Sequence, residues 1–102
     1  MTLEYKPEYR PKGRIFLYPS AGPGGRNKFT LGTVTDLKAE GIIPTPGMRL
    51  DFYADDANDR GEPDYLLFTG IIDRDADSGD WYAVIDGDKF WHESDEKSGN
   101  SN

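Results

Sequence analysis

The stretch 55–62, Asp-Asp-Ala-Asn-Asp-Arg-Gly-Glu, concentrates more carboxylate and amide oxygen than any other part of the chain. Calcium takes six to eight oxygen ligands, and loops rich in Asp and Asn supply them. A calcium loop of the twelve-residue kind places oxygens at positions 1, 3 and 5, Gly at 6 and Glu at 12. Counted from Asp56, positions 1, 3 and 6 are Asp56, Asn58 and Gly61, but position 5 is Arg60 and position 12 is Leu67. A second set, Asp73, Asp75 and Asp77, has Ser78 at position 6 and Val84 at position 12. Neither completes the pattern, and Asp, Asn and Gly are also the ordinary residues of tight turns. No metal ligand is assigned, and calcium binding by the acidic loops stands as an alternative.

Cations interleaved with rings would do different chemistry. Arg10, Lys12, Arg14, Arg26 and Lys28 alternate with Tyr5, Tyr9, Phe16, Tyr18 and Phe29. Proteins that hold single-stranded nucleic acid place cations along the backbone and rings beneath the bases. Arg10, Lys12, Arg14, Tyr18, Arg26 and Lys28 are therefore the candidate residues for that function. The net charge of −7 opposes it, because affinity for a polyanion comes mainly from neutralising phosphates. The charge is unevenly spread. Eight bases and four acids leave residues 1–50 at +4, and four bases and fifteen acids leave residues 51–102 at −11.

Catalysis has little to stand on. His92 is the single histidine, and neither Ser20 nor Ser78 lies in a nucleophile-elbow motif. The absence of cysteine excludes disulfides, thiolate nucleophiles and cysteine-ligated metals. No enzyme and no cofactor is expected.

A protein-interaction surface is the leading expectation. Tyr53, Tyr82 and Trp91 fall on the faces of their strands opposite the main apolar set. Tyr and Trp are enriched among the residues that carry interface energy. Asp55, Asp56 and Asp59 would flank them and steer a basic partner.

These groups must be positioned by strands. Residues 48–54 alternate cleanly, with Met48, Leu50, Phe52 and Ala54 on one face and Arg49, Asp51 and Tyr53 on the other. A period of two marks a half-buried strand. Residues 65–72 are apolar on both faces, which marks a central strand, and Gly70 predicts a bulge or sharp bend within it. Residues 14–18, 29–35, 81–85 and 89–92 complete a set of six, residues 29–35 on the strength of Phe, Thr and Val. Residues 36–41 predict one helical turn, capped by Asp36 and stopped by Gly41. Asp86-Gly87 predicts a tight hairpin joining the last two strands.

The expected fold is all-β, with no long helix: a small six-stranded barrel of SH3-like plan, with an OB-like barrel as the alternative. Residues 1–12, holding Pro7 and Pro11, read as a flexible arm, 13–93 as one domain, and 94–102 as a disordered polar tail. Hydrophobic residues are only 35% of the chain, but aromatics are 13%, enough rings for a small core without staples. The sequence from Pro46 to Phe52, a Pro-Gly turn leading into a strand, resembles cold-shock domains. The aromatic, glycine-spaced strand motifs of that family are absent, so its function is not carried over. No apolar run reaches the roughly 20 residues a bilayer span requires, and residues 1–7 lack an apolar signal core, so a cytoplasmic location is expected. The partner expected is another protein, with no membrane role and with weak self-association through a strand edge as a further option.

Overall fold

A computed structural model describes residues 11, 13–19, 25–87 and 89–99. The elements in chain order are β1 (Ile15–Phe16), β2 (Arg26–Lys28), α1 (Leu31–Ala39), β3 (Arg49–Ala54), β4 (Leu66–Arg74), β5 (Trp81–Ile85), β6 (Trp91–His92) and α2 (Glu93–Gly99). Six strands form one mixed sheet in the order β1-β3-β4-β5-β2, and β6 also pairs with β4. β1 runs parallel to β3, and every other pairing is antiparallel. The sheet is curled like half a barrel, and among the described residues the two ends of the path, β1 and β2, do not pair.

The alternation of β3 sets the core. Leu50, Phe52 and Ala54 point inward and meet Phe68 and Ile72 of β4, Ala83 of β5, Ile15 of β1, Leu17 just after it, and Leu37 of α1. Phe52 and Phe68 are cross-strand partners with stacked rings 5.8 Å apart. Removing either ring would cost about 3–5 kcal/mol, the usual figure for Phe→Ala in a core.

Residues 29–35 are not a strand. The ladder on β5 ends at Phe29, and α1 begins two residues later. Thr30 caps it by accepting from the Thr33 N–H, while the Thr33 hydroxyl accepts from the Thr30 N–H at 3.1 Å. That reciprocal box satisfies two backbone donors and outweighs the small helix penalty of Thr33, Val34 and Thr35. Asp36 lies inside the helix rather than at its start. Gly41 is the stop, at φ +69°, where the Ile42 N–H returns to the Leu37 carbonyl at 2.9 Å.

Two other expectations change. β6 does not fold back on β5 as a hairpin; it pairs with Leu66 and Leu67 of β4. β4 is nine residues long, and β5 occupies the same edge only from Gly70 onward, which leaves its first half open to β6. Asp86 turns the chain by donating its N–H to the Thr69 carbonyl and holding Arg49 through its carboxylate. Gly70 makes no bulge, since the register with β3 is unbroken through it. It is required by close approach: a Cβ there would lie 2.6 Å from the Val84 carbonyl oxygen.

Residues 94–99, expected within a polar tail, continue α2, whereas the arm 1–10, Lys12 and residues 100–102 lie outside the described residues. Among the described residues no helix is long and apolar enough to cross a membrane.

Candidate binding site

The structure divides the expected aromatic patch. Tyr53 is fully buried and does not reach the surface. It belongs to a second cluster on the outer face of the sheet, with Tyr65 and Leu67, against which Phe16 and Trp91 pack. Trp91 is half-buried, with the Arg14 guanidinium 5.4 Å above its ring and its indole N–H donated to Glu96 at 2.9 Å. Tyr82 sits elsewhere. Trp91 pairs with Leu67 and Tyr82 with Asp73, so six residues of β4, roughly 20 Å at strand rise, separate the two rings. Asp55 and Asp59 are exposed on the loop after β3, and Asp56 is bound to His92, so this acidic flank accompanies Trp91 and not Tyr82.

The cationic set is also divided. Arg14 is structural, with a side chain only 15% exposed that donates to the carbonyls of Phe52 and Phe68. Arg26 and Lys28 lie on β2 and are paired with Asp75 at 2.9 Å and Asp80 at 3.7 Å. Tyr18 is exposed and stands apart on the chain beyond β1, while Arg10 and Lys12 lie outside the described residues. The acidic loops are spent on turns. Asn58 Oδ1 accepts from the N–H groups of Arg60 and Glu62, and Asp75 Oδ1 from those of Asp77 and Ser78. Those backbone bonds, with Arg26 beside it, hold the Asp75 carboxyl below the usual range. Among the described residues no three His, Asp or Glu side chains converge on a cation position. The Ser94 hydroxyl donates to Asp64 at 2.7 Å.

What converges instead is the β2 end of the sheet. β2 is the last strand of the path and, among the described residues, pairs with β5 alone. On its inner side Phe29 stacks on Trp81 with ring centroids 6.1 Å apart. These rings, with Val34 of α1, Gly79, and the Lys28–Asp80 ion pair, line an open groove of about 310 Å³. That lies at the small end of ligand-sized clefts. Arg74 lies 6.0 Å above the Trp81 ring, and Leu31 and Val34 of α1 are exposed. On the outer side Arg26 lies 4.4 Å above the Tyr82 ring. Beside it run Val84 and Ile71, the middle of a cross-strand row from Arg26 to Arg49. Both are exposed on a face that carries Asp51 and Asp73 as well.

The edge has a defined polarity. The Phe29 N–H donates to the Trp81 carbonyl at 3.1 Å. By the alternation of an antiparallel ladder, the backbone groups of Arg26 and Lys28 then face away from β5. Asn27, between them, is turned inward and buried, its amide held by the carbonyls of Gly25 and Ala83. Of this site, Arg26, Lys28 and Tyr82 are among the candidate residues read from sequence, and Phe29 is among the rings interleaved with the cations. Trp81 and Val34 are not, because a ring at a strand start and an apolar residue in an expected strand both read as core until their neighbours are known.

No family model matches the chain, and no curated protein and no solved structure matches it significantly.

Proposed function

We propose that this protein is a non-catalytic interaction module that captures an extended segment of a partner protein by strand addition at β2. The observation behind this reading is an end strand with an aromatic feature on each of its two faces, the Phe29–Trp81 groove inside and the Arg26–Tyr82 pair outside. In strand addition, main-chain hydrogen bonds supply affinity, and alternate side chains of the peptide are read by pockets on the two faces. One set would enter the groove, which suits an apolar or aromatic side chain. The next would lie over Arg26 and Tyr82, residue types that carry interface energy.

A second copy of this chain is a poorer occupant. Antiparallel pairing of two β2 strands centred on Asn27 sets Arg26 opposite the other copy's Lys28, and like charges placed so repel. Single-stranded nucleic acid is disfavoured because Arg26 and Lys28 are already balanced by Asp75 and Asp80. The meander β3–β4–β5 with β2 on its far edge is the part of the architecture that supports an SH3-like plan over an OB-like one.

The test is to pan a displayed library of random dodecapeptides on the full chain and to map the selected peptide by amide NMR. Saturable shifts on residues 26–29 and the Trp81 indole, lost in Trp81→Ala, are expected. Peptides that shift residues 91–96 instead, or a library that yields none, overturn the proposal. Steeply salt-dependent shifts of residues 26–28 with an oligonucleotide pool would replace it with the nucleic-acid reading.

A further inference from the structure

At the opposite end of the sheet, the acidic loop 55–64 meets β6 and α2. His92 Nε2 lies 2.7 Å from Asp56 Oδ2, the ring 38% and the carboxylate 43% exposed. Around this pair the loop and the helix are joined at several points. Asp64 accepts from the Ser94 N–H at 3.1 Å and the Ser94 hydroxyl at 2.7 Å. The Glu93 N–H donates to the Tyr65 carbonyl at 2.9 Å. Within the C-terminal segment, Asp95 accepts from the His92 N–H at 2.9 Å, and Glu96 holds the Trp91 indole at 2.9 Å and lies 3.6 Å from Arg14.

Of these contacts, only the His92–Asp56 bridge changes charge near neutral pH, because imidazole is the side chain that titrates there. We infer that His92 is a pH-operated tether for α2: as imidazolium it clamps the loop 55–64 to β6 and α2, and as neutral imidazole it loosens them. The charged groups that face it are Asp56 and Asp64 from the loop and Asp95 from α2. The hydrogen bond to Asp56 raises the His92 pKa above its ordinary value of 6.5, partial burial opposes this, and the three carboxylates add to the rise. A folded-state value raised in this way contributes stability that is complete below about 6.5 and is lost as pH climbs through the higher folded value. Loosening α2 draws Glu96 away from Trp91 and Arg14. The indole N–H of Trp91 is therefore the reporter.

The experiment is an amide and indole NMR titration of the full chain between about pH 5.5 and 9, spanning the histidine range. The Trp91 indole is assigned through Trp91→Phe. The expected result is a common midpoint above 6.5 for the Trp91 indole and the amides of Glu93 and Ser94, with rising mobility of residues 94–96 across the same range. In His92→Gln the transition should vanish, and in Asp56→Asn, which keeps the histidine, the midpoint should fall toward 6.5. A transition that survives in His92→Gln, or a helix that ignores the titration in the parent protein, overturns the tether. Neither result bears on β2, which lies at the other end of the sheet.

Discussion

The phenol of Tyr53 donates a 2.9 Å hydrogen bond to Oδ2 of Asp36, joining the end of β3 to the middle of α1 in the protein interior. The same oxygen accepts the Phe16 N–H of β1 at 3.0 Å. Asp36 is 5% exposed and Tyr53 is fully buried, so water is a poor substitute for either partner. The helix and both strands are thus located by one carboxylate, and losing a buried hydrogen bond of this kind costs about 1–3 kcal/mol. Tyr53→Phe should lower unfolding stability by about that amount. Asp36→Ala, which removes the acceptor shared by the phenol and the Phe16 N–H, should cost more than Tyr53→Phe. Urea unfolding measures both. Equal stability of Tyr53→Phe and the parent would show that the bond contributes nothing.

Gly70→Ala tests the close approach of β4 to β5. The added methyl would meet the Val84 carbonyl oxygen at 2.6 Å and its carbon at 3.2 Å, both backbone atoms that cannot rotate away. Overpacking of this kind costs typically about 1–3 kcal/mol, more than the gain of up to about 1 kcal/mol from restricting the unfolded chain. A clear fall in the urea midpoint is expected. An unchanged or higher midpoint would mean that β5 shifts freely against β4.

The strands were legible where no local signal opposed them. Residues 48–54 read as a strand through their period-two alternation, and residues 81–85 through their aromatic and β-branched content. Residues 29–35 misled because Thr33, Val34 and Thr35 have strand propensity, while the cap that turns them into helix is a Thr-Thr box without the usual Glu or Gln at the third position. Tyr53 misled for a different reason. Alternation identifies two faces but does not say what covers each, and the outer face is covered locally by Phe16, Tyr65 and Trp91. The partner of β6 was illegible because Asp86-Gly87 is a hairpin signal, whereas the free first half of β4 is a property of the whole sheet. The β2 edge was half-legible for a related reason. Tyr82, Arg26 and Lys28 announce themselves by type, but the Phe29–Trp81 stack exists only through the β2–β5 ladder.

Acid should weaken the protein through two surface carboxylates. The hydrogen bond from Arg49 and its charge hold the Asp86 carboxyl below 3.8, and backbone N–H bonds from Ser78 and Asp77 do so for Asp75. A folded pKa below the ordinary value contributes stability that is present above that value and is lost as pH falls through the lower folded one. Stability should therefore decline below about pH 4, and Asp86→Asn should flatten that decline while leaving stability near neutrality slightly lower. Thermal unfolding across the acid range reads this. An identical acid limb in the variant would remove Asp86 from the account.

The strand-addition proposal makes a backbone prediction that side-chain docking does not. If a partner segment pairs with β2, the outward N–H of Lys28 donates to it, so removing that N–H should abolish capture. Lys28→Pro does this at a position where proline is tolerated, since an edge N–H that faces away from the neighbouring strand is the one a sheet can spare. Lys28→Ala is the control: it deletes the same charge and the contact with Asp80 but keeps the N–H. The expected result, by amide NMR with a selected peptide, is loss of binding in Lys28→Pro and at most a several-fold weakening in Lys28→Ala, with β-type dispersion retained in both. Were Lys28→Ala to lose binding as completely as Lys28→Pro, the ammonium and not the strand edge would be the recognition element. A Lys28→Pro protein that is folded and still binds would show that the groove between Phe29 and Trp81 acts without strand addition.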